Sequence, residues 1–448
     1  VTVPGDAAIV AAAVADRNPL ARLHAAWVPA AAVVSAAVAV LNYHAVHLFH
    51  TIDKHLVFRD RILHGFATDY TALPPTFPMW GYGWVLLLTT STPWLIALQM
   101  AVALFAAWYF VRALAAAGAL DRFSRVLLPF GIVVCAPWFT YHSIVWSQSL
   151  ATSLLMLSLA MLIAAGSGRS GKARLLALSA CCMGLNLNLA SDLFLLPVLM
   201  ALCCWAAAKW SRFTAADALV WLGAVVLTLA PWMLYSWRAV GAPLVKSSNQ
   251  GHVFLIGLGQ DSGGRFGITY SDYDPTMYRI IREQLGESFA RRPYASCSYE
   301  ADQVLKPAFR AIVFRQPRQY LELVASKLRD LLLGRVGTYQ GEFDEGANVG
   351  AFGIGAPVRG FVRRYTRRTG RLLQQGTTLF APLVAWAAVR RRAWPWALIL
   401  MPIAYQYISG SIAVLQPQYV SNLILLQLAV VVGGVALTLS GIESILSR

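Results

Sequence analysis

Charge is what this sequence has least of. Only 13% of its 448 residues are Asp, Glu, Lys or Arg, about half the share of an average soluble domain. That scarcity excludes a chain whose whole surface faces water. Acidic residues are the rarer sign, with 21 Asp and Glu against 37 Lys and Arg. Cysteine offers no framework either. Cys135, Cys181, Cys182, Cys203 and Cys204 fall inside apolar stretches, and only Cys297 lies in a large polar segment. No disulfide scaffold and no zinc spacing emerges from them. Gly257, Gly259, Gly263, Gly264 and Gly267 cluster without a strand-turn-helix unit around them, so they make an irregular turn region and not a dinucleotide fingerprint. No internal repeat is visible, and the inverted halves of many secondary transporters are missing.

What the chain has instead is apolar length. Hydrophobic residues make up 58% of it, and runs of about 20 recur, enough to cross a hydrocarbon core of about 30 Å. The reading is an all-α polytopic membrane protein with ten spans, at 25–48, 93–116, 126–141, 147–166, 174–190, 192–209, 216–236, 371–389, 394–411 and 419–440. The first run is longer than a signal-peptide core and is read as a retained span. Segment 81–92 is apolar but short, and is read as interfacial or re-entrant.

The basic clusters orient these spans. Arg17 and Arg22, Arg122 and Arg125, Arg169 with Lys172 and Arg174, Lys209 with Arg212, Arg390–Arg392, and Arg448 all fall on one side. The short connections near 142–146, 190–192 and 412–418 contain no Lys or Arg. By the positive-inside rule both termini are cytoplasmic. Three regions follow: residues 1–236 with a first outer loop at 49–92, an extracytoplasmic region at 237–370, and the last spans at 371–448. Long loops cross regardless of charge, so the basic 237–370 segment does not break the pattern. Its stretch from Val304 to Leu333 alternates apolar and basic residues at helical spacing, as a helix lying on a membrane surface does. The net charge of +16 then points to anionic lipid heads or a phosphorylated substrate; no nucleic-acid partner is expected. The Ala-rich composition and the initial Val fit a GC-rich bacterium, hence a bacterial plasma membrane.

Polar residues collect at the outer ends of the spans, where a cavity rather than lipid is their usual neighbour. His44, His47, His50, Asp53 and His55 close the first span. Tyr141, His142, Ser147 and Gln148 lie between the third and fourth. Asn186, Asn188, Ser191 and Asp192 form the next outer turn, and Gln416, Gln418 and Tyr419 open the tenth. The three histidines recur at i, i+3 and i+6. The third is rotated away from the first two, so this is read as a polar span end and not a zinc site. Most of the 15 tryptophans are read as belt residues at the interfaces.

The order of these features resembles a known family. An Asp just after the first span, followed by Pro74-Pro75-Thr76-Phe77-Pro78, is similar to the first outer loop of GT-C glycosyltransferases. The nearest branch contains protein mannosyltransferases and the aminoarabinose transferase of lipid A. Pro231-Trp232, Trp237-Arg238-Ala239-Val240-Gly241 and Ser247-Ser248-Asn249-Gln250-Gly251 resemble the passage from a span into that family's large loop. Phe314-Arg315-Gln316-Pro317-Arg318-Gln319-Tyr320 with Lys327-Leu328 resembles its surface helix, and Pro417-Gln418-Tyr419 the motif before its last span.

The resemblance implies an inverting transfer from a polyprenyl-phosphate-linked sugar to a glycan, lipid or protein acceptor outside the cytoplasm. A carboxylate takes the acceptor proton and cations stabilise the departing lipid phosphate. Asp53 matches the family's base by position, with Asp60 and Asp69 in the same loop as alternatives. Arg238 and Lys246 are the first candidates for the donor phosphate, and Arg59 and Lys327 the second. His55, His142, Gln148, Asn188, Asp192, Gln418 and Tyr419 are expected to line the cavity.

The chain also departs from the family pattern. Lys54 stands where Glu often follows the Asp, Gln148 replaces an acidic residue, Ser191-Asp192 replaces Arg-Pro, and Gln418 replaces an Arg. No cofactor is assigned. A divalent cation, which some relatives hold with acidic pairs, stays open. Two other classes stay open as well: an inactive scaffold for envelope assembly, and a transporter or flippase of lipid-linked saccharides. The latter would carry charges at the bilayer midplane, and these are nearly absent.

Overall fold

A computed structural model describes residues 19–42, 52–70, 72–168, 171–336 and 356–446. Within them the chain is all-α, with no strand. In order come α1 (Pro19–Asn42), α2 (Ile52–Leu63), α3 (Gly81–Leu88), α4 (Thr92–Ala116), α5 (Ser124–Val133), α6 (Ala136–His142), α7 (Ser147–Gly166), α8 (Lys172–Leu189), α9 (Leu196–Ala206) and α10 (Ala215–Val240). A second group follows: α11 (Gln250–Leu258), α12 (Pro275–Leu285), α13 (Glu287–Ala290), α14 (Tyr299–Arg315) and α15 (Pro317–Leu332). The chain closes with α16 (Ala356–Arg390), α17 (Pro395–Ile412), α18 (Pro417–Ser421) and α19 (Ile424–Leu446).

Among the described residues five helices are long and apolar enough to cross a bilayer: α4, α7, α10, the stretch Gly360–Arg390 of α16, and the stretch Ile424–Glu443 of α19. The pair α5 and α6, bent by 49°, makes a sixth. The protein is therefore a multi-pass membrane protein, though fewer helices meet that standard than the ten runs read from sequence. Prolines account for part of the difference. Pro137 sits in the first turn of α6, where its missing N–H and its ring prevent the helix from continuing unbroken. The expected span 192–209 opens instead as a 3-10 turn, Ser191–Leu193, and α9 starts only at Leu196 with Pro197 in its first turn. The expected surface helix divides at Gln316 because Pro317 opens α15. The eighth run is the reverse case, since α16 begins fifteen residues earlier than its apolar stretch and carries the Arg-rich segment 363–368 as helix.

Helix α7 is the hub of the bundle. It is apolar along most of its length, with scattered Ser and Thr, and almost wholly buried, as expected for a helix enclosed by others. It packs on α4 and α8. Helix α8 in turn lies so close to α10 that a side chain at Gly184 would collide with Thr228. The basic turns share one end of this bundle. Arg122 pairs with Glu443, Lys172 with Asp217 at 2.5 Å, and the Arg212 N–H donates to the Gly166 carbonyl at 2.9 Å. The second group of helices has a core of its own, built on Leu255, Ile256, Ile268, Met277, Ile281, Leu305 and Leu323. It sits on the other end of the bundle. Gly257 lets it approach α17, because a Cβ there would collide with the Ala413 carbonyl.

Candidate functional site

A cavity of about 850 Å³ opens where this second group meets the bundle. Four parts of the chain wall it. Lys54 and His55 come from the start of α2, and Phe77, Pro78 and Met79 from the loop after it. Trp146, Ser147, Gln148 and the turn Ala190–Asp192 come from the helix tips. Lys246, Ser247, Asn249, His252, Asp272, Tyr273 and Tyr294 come from the second group, while Met401, Ala404, Tyr405, Gln406 and Ile408 come from α17.

The walls are held by hydrogen bonds between distant parts of the sequence. Thr76 Oγ1 donates to Ser248 Oγ at 2.8 Å, and Ser248 Oγ donates to the Cys297 carbonyl at 2.8 Å. Arg61 is buried and clasps the first loop by donating to the carbonyls of Leu73 at 2.5 Å and Pro74 at 3.2 Å. Gln99 is also buried. Its amide donates to the carbonyls of His142 and Ile144, and its oxygen accepts from Tyr82 and from the Trp146 N–H. These bonds shape the 142–146 turn without consuming the cavity's own polar groups.

Asp192 stands in the 3-10 turn outside the spanning helices. The Asn422 amide approaches its carboxylate at 3.5 Å, and Tyr405 donates to its main-chain carbonyl at 3.1 Å. Its Oδ1 has no hydrogen-bond partner among the described residues. Burial pushes this carboxyl up to about 6, against weaker lowering by hydrogen bonds that include Gln406 and Asn422. Lys246 places its ammonium 4.2 Å from the centre of the Phe194 ring. Burial lowers its pKa to about 8, helped by the charge of Lys306 and opposed by Asp302. Ser191 and Ser247 bring the two segments together, with hydroxyls 3.3 Å apart. His55 is buried edge-on to Tyr82. Burial first, and Lys54 second, hold it neutral with a pKa of about 3.

Of the residues expected from sequence, His55, Gln148, Asp192 and Lys246 line the cavity. Asp53 lies in the first turn of α2, directly before Lys54; its side chain, like those of Gln418 and Tyr419, lies outside the described residues, as do His44, His47 and His50. The other candidates do not line it. Arg59 pairs with Asp60 at 2.6 Å, and Asp69 is exposed in the first loop. Arg238 is exposed in the last turn of α10. Lys327 is buried and donates to the carbonyls of Gly257 and Ala413 at 2.7 and 2.6 Å, joining the second group to α17. Asn188 accepts from the Trp80 indole at 3.1 Å. His142 is fully buried against Trp138, with ring centres 4.0 Å apart.

Sequence reasoning passed over His252, Asp272 and Tyr273. The signal available was modest: a histidine one residue past the Ser247–Gly251 motif, and two aspartates close together in an otherwise basic region. Among the described residues no three His, Cys, Asp or Glu side chains come together as metal ligands.

Two solved structures are similar to the chain. One is the archaeal oligosaccharyltransferase AglB from Archaeoglobus fulgidus, in complex with an inhibitory peptide and a dolichol-phosphate. It aligns with 95% of this chain and 51% of its own, at 11% identity and a TM-score of 0.45. The other is ArnT from Cupriavidus metallidurans bound to undecaprenyl phosphate, over 91% of this chain and 78% of its own, at 13% identity and a TM-score of 0.32. The chain thus spans about half the length of the archaeal protein. No protein-family model and no curated protein sequence matches it.

Proposed function

We propose that this protein is a GT-C-type membrane glycosyltransferase that moves a sugar from a polyprenyl-phosphate donor to an acceptor on the extracytoplasmic side, by inverting displacement. The observation that carries the reading is the cavity itself. It joins an apolar flank, formed by Leu195, Leu199, Met401, Ala404 and Ile408, to a polar one bearing Lys54, Lys246, Asp192 and Asp272. A lipid-linked sugar has that same division between isoprenoid and phosphosugar. The ordered motifs of the first loop, the Ser247–Gly251 segment and Pro417-Gln418-Tyr419 support the same class.

In this reading Asp53 removes the acceptor hydroxyl proton as the oxygen attacks the anomeric carbon. The bond from that carbon to the phosphate oxygen breaks, and the lipid phosphate leaves with the bonding pair. Lys246 offers a positive charge to that phosphate. Asp192, a carboxylate that lines the cavity, is the alternative base. The extracytoplasmic placement is supported by the basic turns, which gather at the far end of the bundle as the positive-inside rule expects of a cytoplasmic end.

The test is purified protein incubated with a radiolabelled polyprenyl-phosphate sugar and envelope glycan, lipid or peptide acceptors. Asp53→Asn, Asp192→Asn and Lys246→Ala run in parallel. The expected result is turnover by the wild type and its loss in Asp53→Asn. Loss in Asp192→Asn with Asp53→Asn fully active would move the base to Asp192. No turnover with any donor would remove the transferase reading.

A further inference from the structure

We infer that the loop Ser271–Asp274, backed by His252, is a saccharide-binding subsite, which makes the acceptor a glycan. Its role as the acceptor site rests on the transferase reading; its binding of sugar does not. His252 is 4% exposed, and its Nε2 lies 3.0 Å from Asp272 Oδ1. Nε2–H donates to that carboxylate, and Nδ1 has no partner among the described residues. The buried imidazole therefore fixes the carboxylate from behind. The Asp272 side chain is itself 69% exposed and lines the cavity. Its hydrogen bond to His252, aided by the charges of His252 and Lys54 and opposed by partial burial, holds its pKa below the ordinary carboxylate value.

The neighbouring Tyr273 is 70% exposed and lines the same cavity. Its ring stacks beside that of Tyr278, with centres 6.3 Å apart and planes 24° apart. The loop that presents both groups is pinned by hydrogen bonds. Asp274 is 1% exposed; its Oδ2 accepts from both the N–H and the hydroxyl of Thr269 at 2.7 Å, and its Oδ1 caps α12 by accepting from the Met277 N–H at 2.8 Å. Ser271 Oγ accepts from the Tyr273 N–H at 3.2 Å.

An exposed aromatic ring and a carboxylate anchored by His252, lining one cavity, suit a pyranose or furanose ring. The ring lays C–H groups on the π-face while its hydroxyls donate to the carboxylate. An anionic phosphate would be repelled by Asp272, and an isoprenoid would leave that carboxylate desolvated and unpaired.

The inference is tested by binding without any donor. Mannose, galactose, arabinose and N-acetylglucosamine tetrasaccharides, with a serine-containing tetrapeptide as control, are titrated onto the detergent-purified full chain by saturation-transfer NMR. At least one tetrasaccharide should bind. Tyr273→Ala and Asp272→Asn should each weaken it by about tenfold, while Tyr273→Trp keeps it. Both sites are exposed, so folding is not at stake. Wild-type protein that binds none of the four sugars overturns the inference. So does sugar binding unchanged in both variants, or a tetrapeptide that binds and is displaced by those substitutions. Glycan binding without donor turnover would keep the subsite and remove only the transferase reading.

Discussion

Thr76 and Ser248, 172 residues apart in sequence, share a buried hydrogen bond of 2.8 Å. The bond is doubled by the Ser248 N–H, which donates to the Thr76 carbonyl at 3.1 Å. It ties the Pro74–Pro78 loop to the Ser247–Gly251 segment, two of the motifs that order alone had placed in one family. The neighbours of both residues, Phe77 and Ser247, wall the cavity. Ser248→Ala leaves the Thr76 hydroxyl and the Cys297 carbonyl unpaired, and should cost about 1–3 kcal/mol. Thr76→Val should cost about 1 kcal/mol, because Ser248 keeps its bond to Cys297. Chemical denaturation of the two single variants and the double variant reads this directly. Strict additivity would mean that the two hydroxyls do not interact.

Lys246 gives the cavity a cation that is charged at neutral pH and loses its charge near 8. If it holds the donor phosphate, donor affinity should fall as pH rises through about 8. The KM for the lipid-linked sugar, measured from pH 6.5 to 9.5, should show that limb in the wild type. Lys246→Arg should move the limb above the measured range, since a guanidinium stays charged. An identical alkaline limb in Lys246→Arg would assign it to another group.

Burial alone lowers the Lys327 ammonium to about 7. A solvated lysine titrates near about 10.4. Between those values the unfolded chain carries a proton that the folded chain has released, so stability should rise as pH goes from 7 toward 10. Below 7 both states are protonated and this contribution is constant. Lys327→Met removes the rise, although it also leaves the Gly257 and Ala413 carbonyls unpaired and should be less stable at every pH. Unfolding midpoints at several pH values check it; a slope that survives in Lys327→Met would contradict the assignment.

Asp192 has the opposite dependence. Its carboxyl is raised to about 6 by burial, above an unfolded value of about 3.9. Its favourable contribution is complete below about 4 and is lost as pH rises through 6. Asp192→Asn should therefore match the wild type at pH 4 and equal or exceed its unfolding temperature at pH 7. A variant markedly less stable at pH 7 would mean that the ionised carboxylate is an asset to the fold.

The architecture was legible because it follows from solvent. Runs such as Thr92–Ala116 and Ala215–Val240 must leave water, and helices are the way a single segment satisfies its backbone in doing so. The basic turns at 122, 172 and 212 announced a common end for the same reason. The breaks were less legible, since hydropathy averages over them: residues 126–141 read as one run, yet Pro137 restarts the helix. The cavity's lining was legible where a polar residue sat at a span end, as His55, Gln148 and Asp192 do, and illegible where several residues serve one bond. Nothing local marks Gln99 as the brace of the 142–146 turn.

The sequence by itself determined that this is an all-helical chain of many apolar segments, because apolar length and scarce charge leave no other stable arrangement in lipid. Only the tertiary structure decided which polar groups meet. Lys327 and Lys246 differ little as residues in a sequence, but one is consumed by the carbonyls of Gly257 and Ala413 while the other faces the cavity. His252 and Asp272 acquire their relation only when the turn after α11 folds back upon it. A side chain's chemistry depends on its partners and on the water left around it, and contacts between residues far apart in the chain set both.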